Sequence, residues 1–201
     1  MYYKKREIAN NIAGSFGNLT YDNYEITTVF VKENYALMNK FITMGITHIS
    51  DEAIISNIIL VIYNISLKFD LTNNAIELES YDICERNQKL IKFLVDVLKL
   101  YSKNSLRVNR TFYILSCFKS AGELKFICDI GIEILDICLR KYVDLTEFNK
   151  NIIRLFNNLS NINSNTVILN RFGLPIFIQR NIIYLNENER SQVDDIVQKC
   201  H

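Results

Sequence analysis

Four stretches of this 201-residue chain can be laid under one another: NNIAGSF, VIYNISL, ILSCFKS and FNNLSNI. Their shared column is Asn11, Asn64, Cys117 and Asn158, at spacings of 53, 53 and 41 residues. A recurrence at such intervals predicts a fold assembled from copies of one supersecondary unit. Each copy is too small to bury its own apolar face, so neighbours must stack to make a core. After each column the chain reads as a loop, a short helix, a Gly or polar break and a second helix, and NSNTVILNRFGLPIFI shows this most clearly. The excess length in the second interval falls on the polar stretch KFDLTNNAIELESYDICER (Lys68–Arg86), so a loop insertion is expected over 68–88. The excess in the first is expected to be shared between loops at 14–23 and 47–51.

The units read as helical. In SDEAIISNIILVIYNIS, Asp51 or Ser50 offers an N-cap, and the apolar residues behind it cover nearly the whole circumference. Such a helix is normally packed on several sides. NQKLIKFLVDVLKLY places Leu90, Ile91, Leu94, Leu98 and Tyr101 on one face, with Lys89, Lys92, Asp96 and Lys99 largely opposite. SLRVNRTFYILSCFKSA and TEFNKNIIRLFNNLS repeat the pattern, and breaks are expected at Gly45, Gly122, Gly131 and Gly173. A single Pro and the lack of any strand-like alternation agree with an all-α chain. The abundant isoleucine mimics β propensity, but helix-length segments outrank propensity.

Composition narrows the function classes. Hydrophobic residues make up 49% of the chain and charged residues 22%, enough apolar side chain for a real core at this length. The net charge of +1 argues against a nucleic-acid-binding face. The most apolar window, Ile54–Leu67, is interrupted by Ser56, Asn57, Tyr63 and Asn64 and falls short of the ~20 residues that a membrane span needs. Five cysteines (Cys84, Cys117, Cys128, Cys138 and Cys200) form no C-x-x-C pair and read as buried free thiols of a soluble intracellular protein. His48 lies in a loop and His201 is the last residue, so no His-centred acid–base or metal site is visible. GSFG at Gly14 lacks the Lys of a phosphate-binding loop. Neither an enzyme nor a bound cofactor is expected.

A unit of about 40 residues with two or three helices is the period of HEAT and armadillo solenoids. NIAGSFGNLTYDNYEITTVF resembles the importin-α armadillo pattern, in which NIAG follows a helix and an aromatic-charged pair opens the next. IISNIILVIYNIS, RTFYILSCF and NIIRLFNNLSNINSNTVILNRFGLPIFI resemble three consecutive importin-α repeats. The last places Arg154 four residues before Asn158, as in the central repeat of that family where Arg replaces Trp. The resemblance spans nearly all of the chain. It implies a right-handed armadillo superhelix of about four units over 1–201, forming a single array. It also implies an adaptor that binds basic nuclear localisation signals of cargo proteins. Importin-β or another subunit would be a further partner, and the location would be cytoplasm and nucleus.

In that family the third helix of each repeat presents Trp-x-x-x-Asn to a concave groove. The Asn amide pairs with the main chain of an extended peptide, and the Trp walls sandwich Lys and Arg stems through cation–π attraction of about 0.5–2 kcal/mol each. Carried over, the Asn column is Asn11, Asn64 and Asn158, with Cys117 in the remaining repeat. The partner column reads Glu7, Leu60, Tyr113 and Arg154, so every Trp is gone and Tyr113 is the one aromatic wall. Ser15 and Ser120 stand where the family carries acids, and Glu7 is the candidate to face a ligand ammonium in their place. The competing use of these asparagines is structural: an amide inside a helix often bridges to the next repeat.

KKR at Lys4–Arg6 is far shorter than the Arg-rich importin-β-binding segment of the family. The chain opens and closes within helices that read as third helices, at 7–13 and in ERSQVDDIVQKCH, with no polar terminal cap. Ile8, Ile12, Val193, Ile196 and Val197 are therefore expected to leave apolar area exposed, which favours self-association. Two alternatives stand beside the adaptor: an armadillo interaction scaffold for another peptide class, and a structural subunit with no groove. The electrostatic sign of the groove separates them, since basic signals need a negative face.

Overall fold

The computed structural model describes residues 5–31, 36–68, 80–182 and 185–200. Among these the chain is all-helical, with eleven α-helices and no strand. It divides into two compact units, 1–101 and 102–201.

The first unit holds α1 (Arg6–Thr20), α2 (Tyr24–Val31), α3 (Ala36–Thr47), α4 (Glu52–Lys68) and α5 (Ser80–Tyr101). Helix α4 lies along α1 and also touches α2 and α3. That is why its sequence is apolar all round: Ile54, Ile55, Ile58, Ile59, Val61, Ile62 and Ile65 are all fully buried. Asp51 starts it as expected, its Oδ1 accepting from the Ala53 and Ile54 N–H groups at 3.1 and 3.3 Å. Arg6 of α1 donates to the other carboxylate oxygen and pins the two helix starts together. Phe16, Phe30 and Phe41 meet at 5.4 Å between centroids, with Phe16 edge-on to both others, and fill the space beneath α2 and α3. On α5, Leu90, Ile91, Leu94 and Leu98 are buried while Lys89, Lys92 and Lys99 are exposed, as the periodicity predicts.

Part of the expected insertion over 68–88 is helix. α4 extends to Lys68 and α5 begins at Ser80; residues 69–79 lie outside the described residues. The polar run ERNQK lies inside α5 rather than in a loop, and within it Asn87 is buried and takes hydrogen bonds from the Arg86 guanidinium. Gly45 is likewise no break. It sits inside α3 because the Phe93 ring occupies the space where a side chain would be.

The second unit holds α6 (Ser105–Ser116), α7 (Ala121–Tyr142), α8 (Thr146–Ser160), α9 (Asn163–Arg171), α10 (Leu174–Asn181) and α11 (Glu187–Cys200). Helix α8 packs on α6 at one side and α11 at the other, with α7, α9 and α10 serving as the connections. Phe148 is the hub of one end, 4.7 Å from Phe112 and 5.9 Å from Tyr142. Ser120 and Glu123 form a reciprocal capping box at the start of α7, so Ser120 is committed to a helix end. Asn186 and Glu189 do the same for α11. Gly173, at φ 65°, and Pro175 make the expected break before α10. At Gly131, by contrast, α7 runs on without interruption for 22 residues. A glycine costs a helix interior only about 1 kcal/mol, which packing on a buried face outweighs.

The expectation of an exposed apolar terminus fails for its two main residues. Val193 and Ile196 are 3% and 1% exposed, because α11 closes onto α8, α9 and α10. Ile8, Ile12 and Val197 are half-buried.

Candidate functional site: an asparagine frame between repeated helices

Both units contain the same device. In the first, Asn57 Nδ2 donates to Asn10 Oδ1 at 3.2 Å, and Asn64 Nδ2 donates to the Gly17 carbonyl at 3.1 Å and to Thr20 Oγ1 at 3.2 Å. In the second, Asn151 Nδ2 donates to Asn109 Oδ1 at 2.7 Å, and Asn158 Nδ2 to the Ser116 and Phe118 carbonyls at 2.9 and 3.3 Å. Each pair of asparagines is seven residues apart, close to two helical turns, so both amides lie on one face. The sequence offset to the partner is also matched within each unit, 47 residues for Asn57–Asn10 and Asn64–Gly17 and 42 for Asn151–Asn109 and Asn158–Ser116. Two bonds at equal offset mean that the paired helices run parallel in fixed register.

The chemistry of the upper bond explains why asparagine stands there. Gly17 and Ser116 lie in the last turn of α1 and α6, where carbonyls have no partner four residues on. An amide N–H₂ from the next repeated helix supplies the missing donor. The glycines of α1 allow that approach: a Cβ at Gly14 would stand 3.3 Å from Asn57 Nδ2, and one at Gly17 3.2 Å from Leu60 Cδ2.

Between the two asparagine bonds lies a middle rung, and here the units differ. In the first it is the Leu60 side chain against Gly17. In the second it is the Arg154 guanidinium over the Tyr113 ring, 5.4 Å from the centroid. Tyr113 is half-buried and Arg154 exposed. The partner column carried over from the resemblance therefore contains two residues that do come together in space.

The Asn column fares differently. Asn64 is only 3% exposed and its N–H₂ group is used within the fold; Asn158 is half-buried and committed in the same way. Asn11 is exposed and lies outside the frame, since Asn10 is the residue that meets Asn57 and Gly17 the one beside Asn64. Cys117 is buried, its thiol directed to the Tyr113 carbonyl, and Ser116 takes the place opposite Asn158. Glu7 is exposed in the first turn of α1, lining a shallow hollow with Arg6, Asn10 and Asp51. Arg6 and the two N–H donors hold the Asp51 carboxyl below its ordinary range. Sequence reasoning missed Asn10, Asn57, Asn109 and Asn151, although the seven-residue recurrence of Asn57/Asn64 and Asn151/Asn158 is a readable signal.

The electrostatics follow from which charges the rungs carry. Helix α6 has Arg107 and Arg110 and no acid, and α8 has Lys150 and Arg154 against Glu147 alone. On α4, by contrast, the half-buried Ser56, Asn57, Leu60 and Tyr63 are uncharged, with Glu52 exposed in its first turn. Burial pushes the Cys128 and Cys138 thiols of α7 up to about 12. The four described cysteines are buried and free, and among the described residues no cluster of His, Cys, Asp and Glu is arranged to hold a metal. No described helix is long and apolar enough to cross a membrane. No protein-family model matches the chain, and neither does any curated protein sequence.

Proposed function

We propose that this protein is a helical-repeat interaction scaffold that binds a segment of a partner protein along the repeated helices. The observation that carries the reading is the frame itself. Asparagine bonds hold α6 and α8 parallel and in register, with the exposed Arg154 lying over the half-buried Tyr113 ring between them, a surface with polar edges. Function of this kind needs no catalytic group, and it agrees with thiols held inert by burial. A grid of immobilised peptides of acidic, basic and neutral composition, probed with the full chain, tests it. Selective capture of one class supports the reading, and uniform absence of binding leaves a structural subunit.

A second reading has a specific observation behind it. The importin-α-like adaptor for basic signals rests on the resemblance and on the meeting of Tyr113 with Arg154 in the column that the resemblance assigns to ligand clamping. Importin-β as a partner and residence in cytoplasm and nucleus belong to that reading alone. Against it stands the sign of the face. A lysine stem laid on Tyr113 would meet the Arg154 guanidinium, and like charges at that range repel.

A further inference from the structure

We infer that the α6–α8 face docks an acidic, extended segment of a partner protein, with Arg154 as the carboxylate anchor. The inference rests on the scaffold reading and specifies its ligand. Four observations converge on it. Arg154 is exposed, and its guanidinium lies over Tyr113, with no carboxylate among the described residues paired to it. Several other surface cations are paired with carboxylates within the fold: Arg6 with Asp51, Lys125 with Asp129, Arg140 with Asp136 and Lys199 with Asp195. Stacking on an aromatic face orients the planar fork without consuming its N–H donors, which is the preorganised state for bidentate carboxylate binding. Lys150 lies exposed one turn before Arg154 on the same face of α8, so a second carboxylate has a cation within reach.

The surroundings set the limits of the strip. Along α6 and α8 the only acid is Glu147, in the first turn of α8. Helix α11, packed on the far side of α8, brings Asp194 and Asp195 along with Arg190 and Lys199, and Lys199 is tied to Asp195 and to Asn161. Lys150 and Arg154 of α8 therefore make the rungs at Asn109–Asn151 and Tyr113–Arg154 favourable to an anion. The oxygen of Asn151 and the half-buried Asn109 amide flank that spot and offer hydrogen bonds to a peptide main chain. A steered, salt-sensitive association is the expected behaviour.

The test uses the full chain and fluorescein-labelled twelve-residue peptides, one of alternating Glu and Ser, one of alternating Lys and Ser, and one of Gly and Ser. Fluorescence anisotropy at low salt should show binding of the acidic peptide and not of the other two. Arg154→Glu should weaken it by roughly tenfold or more, the factor corresponding to about 1.4 kcal/mol. Arg154→Lys should retain part of the affinity, and Arg171→Glu, at the end of α9, should leave it unchanged. Circular dichroism on each variant controls for folding. Capture of the basic peptide instead, or equal binding of the acidic one by Arg154→Glu, overturns this inference and leaves the scaffold reading standing. If no peptide of any composition binds, both fall together.

Discussion

Replacing Asn64 by Ala separates a structural amide from a ligand-binding one. The side chain is 3% exposed and makes two donor contacts, to the Gly17 carbonyl and to Thr20 Oγ1. Alanine removes both and leaves the Gly17 carbonyl with only the strained-length contact from Thr20 Oγ1 at 3.3 Å. An acceptor left poorly satisfied in a buried site costs about 1–3 kcal/mol, and the small void adds to it. A loss of roughly 2–3 kcal/mol is therefore expected, a large fraction of the 5–15 kcal/mol that holds most domains folded. Asn11→Ala, at an exposed position outside the frame, should stay within about 0.5 kcal/mol. With no Trp in the chain, urea unfolding is best followed by circular dichroism at the helical band. At a slope of about 2 kcal/mol per molar urea the Asn64 variant should unfold roughly 1 M earlier. Equal midpoints for the two variants would refute the claim that the asparagine frame holds α4 on α1.

Other outcomes follow from single contacts. Gly45→Ala should destabilise by about 1–3 kcal/mol, since its Cβ would stand 2.5 Å from the Phe93 ring, and Phe93→Leu in the same chain should recover part of the loss in thermal unfolding. The Asp51 carboxyl is held below its ordinary 3.8 chiefly by the hydrogen bond from Arg6, so its contribution is present above that pH and disappears as pH falls through the lowered value. Asp51→Asn keeps a cap but removes the ion pair, and its urea midpoint should fall less steeply with acid below about pH 4 than that of the parent. Cys128 and Cys138, at about 12, should resist alkylation at pH 8 in the folded chain and react once it is unfolded, as read by mass spectrometry.

What could be read in advance depended on how local the signal was. The helices of the second unit and the all-round burial of α4 follow from periodicity, because 3.6-residue recurrence and capping residues such as Asp51 act within one segment. The same local logic misplaced Gly131 as a break and the polar start of α5 as loop. There, burial against another helix or a solvated face decided, and neither is visible in composition. Tyr113 and Arg154 stand in the column carried over from the resemblance, but only the packing of α6 on α8 shows that the guanidinium lies over the ring.

The asparagines mark the boundary between the two kinds of information. Sequence alone determined an all-helical chain with amides recurring along certain helices. Tertiary structure decided which residues of α1 and α6 those amides face: Asn10 rather than Asn11 opposite Asn57, Gly17 and Thr20 opposite Asn64, and Ser116 rather than Cys117 opposite Asn158. A shift of one residue on a helix turns a side chain by about 100°, from a buried junction to open solvent. An alignment of short, degenerate motifs cannot resolve that rotation, whereas orphan carbonyls at the ends of α1 and α6 demand a donor at one angle only.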